Sequence, residues 1–228
     1  MTTVLLLRHG QSTANAEGIL AGWMPGVELD EVGWEQAESV ARRLTEVRIS
    51  AILTSPLERC RQTAEAIKAQ RRKDLPLHTE VGLAECRYGD WTGQPLEVLA
   101  KEPLWETVQN HPSGVMFPEG ESLAGMQSRA IMAVRQWNRR LGPAATYVAV
   151  THGDVIKSLL ADALGMHLDL FQRIQVDPCS ISAIHYTEER TYVARVNDLG
   201  GDLSMFSPPR RKNPSGPTHG VVGGETPG

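Results

Sequence analysis

The chain alternates short apolar runs with longer stretches in which apolar residues recur every three or four positions. Val4-Leu5-Leu6-Leu7 is an uninterrupted apolar run, as expected of a strand buried on both faces. It stops at Arg8-His9-Gly10, so a cation and an imidazole arrive where the backbone turns. Residues 147–151 form a second run, and it too stops at a histidine and a glycine, His152-Gly153. A third run, 49–54, leads into Ser55-Pro56, which predicts an N-cap with proline at the first helical position. Residues 181–186 and 191–197 read as a terminal hairpin around Glu188-Glu189. Whether the strands pair parallel or antiparallel is not legible in the sequence.

Helical periodicity fills the intervals. Asp30 is placed to cap a helix whose Ala37, Val40, Ala41 and Leu44 share one face. Beyond Pro56, Arg59 and Arg61 occupy the opening turns of a helix continued by Ala64 and Ile67. Ser122 is placed to cap a long helix with the apolar stripe Met126, Ala130, Val134, Trp137 and Leu141. A further helix, from about Asp154 to Leu164, offers Ile156, Leu159, Leu160 and Ala163 for packing. Strand and helix in alternation predict an α/β fold, a layered sheet with helices on its faces. The middle is less regular. Residues 71–76 read as an exposed basic connection, and 77–95, with Glu85, Tyr88, Gly89, Asp90, Trp91 and Gly93, as a pocket wall rather than a packed element. Pro103, Pro112 and Pro118 mark breaks around a short helical stretch containing Leu99. From about residue 203 the chain turns Pro- and Gly-rich. The expected organisation is one domain over 1–202 and a disordered tail over 203–228, His219 included.

Composition narrows the function classes. A chain of 228 residues buries a sizeable core, and its net charge of -4 gives no general reason to expect nucleic-acid or anionic-membrane binding. No window is long and apolar enough to span a bilayer. Cys60, Cys86 and Cys179 are an odd, widely spaced set without a CxxC pair, which argues against a disulfide framework and for a reducing cytoplasm. No apolar patch announces a dimer, so a homodimer is left open.

The strand ends carry the chemistry. Ligands of open α/β sheets sit outside the carboxyl ends of the strands, and three apolar runs end there in Arg8-His9, in Ser55 with Arg59 nearby, and in His152. Arginine matches phosphate oxygens through a planar fork of donors. A neutral imidazole can attack phosphorus while a second, protonated imidazole or an arginine steadies the oxygens. Two arginines and an imidazolium would balance a group of roughly −2. Paired histidines can also hold a metal. Here Arg8 adjoins His9 with no carboxylate close by in sequence, so no metal site and no cofactor is expected.

The run RHGQSTAN, residues 8–15, resembles the signature of the histidine phosphatase superfamily, in its phosphoglycerate mutase-like branch. The likeness continues through Ser55-x-Leu57-x-Arg59 followed by Gln62-Thr63-Ala64, through Glu85 in LAE, and through His152 in THG. One RHG is a weak signal, but the motifs in order over residues 4–200 are specific. The resemblance implies a three-layer αβα sandwich around a mostly parallel sheet. It implies His9 as the nucleophile that becomes phosphohistidine, with Arg8, Arg59 and His152 holding the phosphoryl oxygens and Asn15 as an added donor. Glu85 would protonate the leaving alkoxide and then activate water. Plainer roles stand beside these. Glu85 could be a surface carboxylate, Asn15 could cap a turn, and Tyr88 and Trp91 could wall the substrate side or pack against the sheet.

The expected activity is metal-independent hydrolysis of a small phosphorylated metabolite. Mutase chemistry is the first alternative, since the resemblance extends to bacterial proteins labelled probable phosphomutase. It needs extra cations for a second anionic group. Residues 92–122 hold only Lys101 apart from His111, and Cys86 stands where the glycolytic mutases carry an arginine. Asp154, after His152-Gly153, adds a negative charge. A catalytically silent binding module is the remaining alternative, and the presence of both histidines and Glu85 weighs against it.

Overall fold

A computed structural model describes residues 1–71 and 75–200. The expected tail over 203–228, with His219, and residues 72–74 of the basic connection at 71–76 lie outside the described residues. In chain order the elements are β1 (Thr2–Arg8), α1 (Thr13–Ala16), α2 (Glu31–Leu44), β2 (Ile52–Thr54), α3 (Glu58–Ala69), β3 (Leu77–Thr79), α4 (Leu96–Leu99) and α5 (Pro103–Asn110). Then follow α6 (Leu123–Leu141), β4 (Thr146–Thr151), α7 (Gly153–Ala163), β5 (Ile181–Tyr186) and β6 (Thr191–Asp198).

The strands form one sheet in the order β3-β2-β4-β1-β5-β6. β3, β2, β4 and β1 run parallel, while β5 and β6 are antiparallel additions at the far edge. The uninterrupted apolar runs follow from burial on both faces. Leu7, Ile52, Val148 and Val150 point into a core shared with α2 and α3. Their neighbours Leu6, Leu53, Tyr147 and Ala149 point the other way, into a core shared with α6 and α7. This is the expected three-layer αβα arrangement, and each strand alternates its side chains between the two cores.

Local signals held where a side chain was free to cap. The Asp30 carboxylate accepts from the Gly33 amide at 2.7 Å, and the Ser122 hydroxyl accepts from the Gly125 amide at 2.9 Å, so each starts its helix as read. Ser55 departs from expectation. Its hydroxyl is 2.8 Å from His152 Nε2, so it is committed elsewhere, and α3 begins only at Glu58 behind Leu57, which makes no side-chain cap bond. Pro56 therefore lies outside the helix. Strand β2 is three residues long where the apolar run spanned 49–54, and the short β3 lacked an apolar signature. Residues 77–95 are not merely a wall, because Leu83, Cys86 and Tyr88 are fully buried in the core. The irregular backbone there is packed, not loose.

Candidate active site

Sheet register delivers the two histidines side by side. Arg8 on β1 pairs with Thr151 on β4, so the residues after them, His9 and His152, leave the same edge together. The His9 amide donates to the Thr151 carbonyl at 3.0 Å, and the Ser55 amide donates to Val150 at 2.9 Å. The imidazole centroids of His9 and His152 are 5.2 Å apart with the rings inclined at 63°.

Arg59, in the first turn of α3, reaches between them. Its Nε donates to His9 Nε2 at 3.3 Å, and its Nη2 lies 3.0 Å from the Gly22 carbonyl and 3.3 Å from His152 Nδ1. Its Nη1 is buried without a hydrogen-bond partner among the described residues. Burying an unpaired guanidinium donor costs free energy unless a ligand meets it. A cation between two imidazoles also fills the place that a metal shared by them would take.

His9 is oriented by its own loop. Its Nδ1 is 2.7 Å from the Gly10 carbonyl, which can only accept, so Nδ1 carries the proton and Nε2 presents its lone pair. Burial, then the charges of Arg59 and Arg8, hold its pKa well below the ordinary imidazole value. His152 is depressed in the same way, by burial first and then by Arg59 and His9. The charge balance drawn from the sequence counted an imidazolium, whereas burial and the neighbouring arginines favour the neutral form of both rings. A cationic His152 would require a dianion beside it.

Glu85 behaves in the opposite sense. Its carboxylate lies 3.8 Å from His152 Nδ1, and Oε1 accepts from the Cys86 amide at 2.9 Å. Burial, followed by repulsion from Asp154, pushes its pKa up to about 7. The group is therefore near half-protonation at neutral pH. Asp154 is itself buried, accepting from the Tyr88 hydroxyl at 2.9 Å and lying 4.0 Å from Lys157 Nζ. Its charge reaches the site through Glu85 rather than by facing a guest directly.

These groups border a narrow cleft whose walls include His9, Asn15, Arg59, Glu85 and Tyr88. Arg8 and His152 do not line it. Arg8 is buried behind the site, its Nη1 donating to the Val176 carbonyl at 2.8 Å, and His152 lies beneath Arg59. Asn15 both lines the cleft and completes the capping box of α1, whose N-cap is Ser12, its Oδ1 accepting from the Ser12 amide at 3.1 Å and hydroxyl at 2.8 Å. Trp91 stacks on Trp105 in the core and leaves the cleft wall to Tyr88. Arg61 is exposed on the far side of its helix.

A family model for the histidine phosphatase superfamily (branch 1) matches residues 4–199. The chain belongs to that family. This histidine phosphatase is 30% identical over 204 residues to "Phosphoserine phosphatase 1" of Hydrogenobacter thermophilus, covering 86% of this chain and 92% of that one. It is 32% identical over 190 residues to "Probable phosphoglycerate mutase GpmB" of Yersinia enterocolitica, covering 82% and 86%. Among solved structures, Bacillus stearothermophilus YhfR superposes with a TM-score of 0.82 at 29% identity, covering 88% of this chain and 98% of that one.

Two residues that hold the candidate site escaped the sequence reading. The indole of Trp23 donates to the Glu85 carbonyl at 2.7 Å, and Arg129 on α6 binds the same carbonyl at 2.8 Å. Both hold backbone, and nothing in a side-chain pattern announces a backbone partner. The one signal was an arginine on the shoulder of the Met126–Ala130 stripe.

Proposed function

We propose that the protein hydrolyses the phosphomonoester of a small metabolite by double displacement through phosphohistidine at His9. The observation that carries this reading is the pairing of an imidazole held neutral with Nε2 presented and a carboxyl group poised near neutrality beside it. Arg59 Nε donates to the Nε2 lone pair. A phosphoryl dianion draws that guanidinium, with its unpartnered Nη1, onto its own oxygens and uncovers the nucleophile. Nε2 then attacks phosphorus in line with the ester oxygen; Arg59 and Asn15, which line the cleft, bind the phosphoryl oxygens, while Arg8 and a now-protonated His152 offset the group's charge from behind the wall. Glu85 gives its proton to the leaving alkoxide. As a carboxylate it next takes a proton from water, which attacks phosphohistidine and releases phosphate. The steps balance without an external redox partner.

Hydrolysis is favoured over mutase chemistry by charge. Arg59 is the sole permanent cation among the residues lining the cleft, and Lys101 is exposed, so a second phosphate finds no counter-charge. The relative named for phosphoserine supports a small, polar leaving group. The three buried free thiols suit a reducing compartment, and among the described residues no helix is long and apolar enough to cross a membrane.

The test is turnover of a phosphomonoester panel in EDTA by wild type and His9→Ala, with an alkaline trap for phosphohistidine. Wild-type turnover with trapped phosphohistidine, both absent in the variant, is expected. Interconversion of 2- and 3-phosphoglycerate on adding bisphosphoglycerate, without hydrolysis, would replace this reading with the mutase one.

A further inference from the structure

Glu85 sits in an awkward place for a group that must transfer a proton. It lies in backbone without regular secondary structure, between a 3-10 turn at Val81–Leu83 and Tyr88. No strand ladder or helical bond holds it. A transferring group needs its donor fixed to within about 0.5 Å, and sites on loops achieve this only through supporting contacts.

The support comes from the middle of α6. The Arg129 guanidinium donates from Nη1 to the carbonyls of Gly82 and Ala84, at 3.0 and 2.7 Å. Its Nη2 donates to the Glu85 carbonyl at 2.8 Å and to Glu121 Oε1 at 2.7 Å, and its Nε donates to Glu121 Oε2 at 3.1 Å. These bonds use all five N–H groups an arginine has. Glu121 Oε1 also accepts from the Arg87 amide at 2.9 Å. The backbone is thus pinned on both sides of Glu85, by the guanidinium before it and by Glu121 after it. A planar fork fixes distance and direction together, which a lysine ammonium with its three rotatable donors cannot do.

We propose that Arg129, oriented by Glu121, is a positioning residue that aims the Glu85 carboxyl at the leaving-group oxygen. The inference rests on the general-acid role assigned to Glu85. The guanidinium touches no reacting atom. It acts by making an irregular segment as stiff as the helix it is tied to. A plain stabilising strut would involve the same contacts, so the test must see proton transfer itself.

Leaving-group dependence does so. Release of 2,4-dinitrophenolate needs no proton, whereas release of glycerol from β-glycerol phosphate does. For Arg129→Lys and Arg129→Met in the full chain, kcat/KM on glycerol phosphate is expected to fall roughly 10- to 100-fold, while on 2,4-dinitrophenyl phosphate it falls by less than about threefold. Glu121→Gln is expected to follow the same pattern more weakly. Equal losses on both esters, or no loss on either, would overturn the proposal. If Arg129→Met does not fold, the lysine variant carries the comparison alone. Glu85→Gln, run in parallel, separates the two claims. A selective loss there without one in the Arg129 variants refutes positioning by Arg129. No selective loss in Glu85→Gln refutes the general-acid role and the inference resting on it.

Discussion

At the scale of single residues, the proposed mechanism asks Glu85 to be neutral when substrate arrives and charged when water attacks. Its environment meets both demands by setting its pKa near the working pH, with burial and the Asp154 charge outweighing the Cys86 amide, Arg59 and Arg129. The acid form is the one needed by the free enzyme, so kcat/KM for alkyl esters should fall as pH rises through about 7. The low pKa of His9 keeps the nucleophile from limiting the acid side until well below its ordinary titration range. Glu85→Gln should erase the alkaline limb and lower kcat/KM by roughly 10²- to 10⁴-fold. A limb unchanged in that variant would assign it to another group.

The same shift bears on stability. The folded state holds the Glu85 proton more tightly than the unfolded chain does, so the unfolded state binds fewer protons between the two pKa values. Stability from this group is therefore complete below the ordinary carboxyl range and is lost as pH rises through about 7. The penalty above that point is on the order of 3 kcal/mol at most, at ~1.4 kcal/mol per pKa unit. Glu85→Gln should unfold at a higher temperature than wild type at pH 8. The gap should close by pH 4, and thermal melts across that range would show it. On the proposed mechanism, catalysis is maintained against the preference of the fold.

At the scale of elements, the strands that carry chemistry were legible because they are buried on both faces. An apolar run that ends abruptly in Arg-His-Gly or His-Gly leaves little doubt about where the strand stops. Ser55 was misread as a cap because the sequence cannot reveal that a hydroxyl is engaged by an imidazole 97 residues away. The glycine inside α2 was passed over for a similar reason. Gly33 packs so closely on the loop after β1 that an added Cβ would lie 1.9 Å from the Gln11 carbonyl oxygen. Neither backbone can move without displacing the turn that holds His9 Nδ1 to Gly10. Gly33→Ala is therefore expected to lower kcat/KM by roughly tenfold or more as well as the melting temperature, by misplacing the nucleophile on a scale of tenths of an ångström to an ångström. A variant that melts earlier but turns over normally would show that the loop tolerates the shift.

At the scale of the whole molecule, the candidate site is assembled from segments that share no neighbourhood in the chain. The order β3-β2-β4-β1-β5-β6 was not readable, because register and adjacency are decided by which covered face each strand finds. The histidines, Arg59 and Glu85 could be named from the residues, since each brings its side chain to the candidate site from a motif position. Arg129 and Trp23 could not, since each acts on a carbonyl. That order also bears on how the protein is made. β1, which leads into His9, has β4 and β5 as its neighbours, and both are synthesised after everything from residue 9 to residue 145. Until then the emerging chain carries an apolar strand with two open edges, the kind of surface that invites wrong pairing. A ribosome that stalls before Thr146 would release a fragment bearing the whole Arg-His-Gly-Gln motif yet unable to build the pocket around it. Such a product would draw chaperones and proteases rather than phosphate esters.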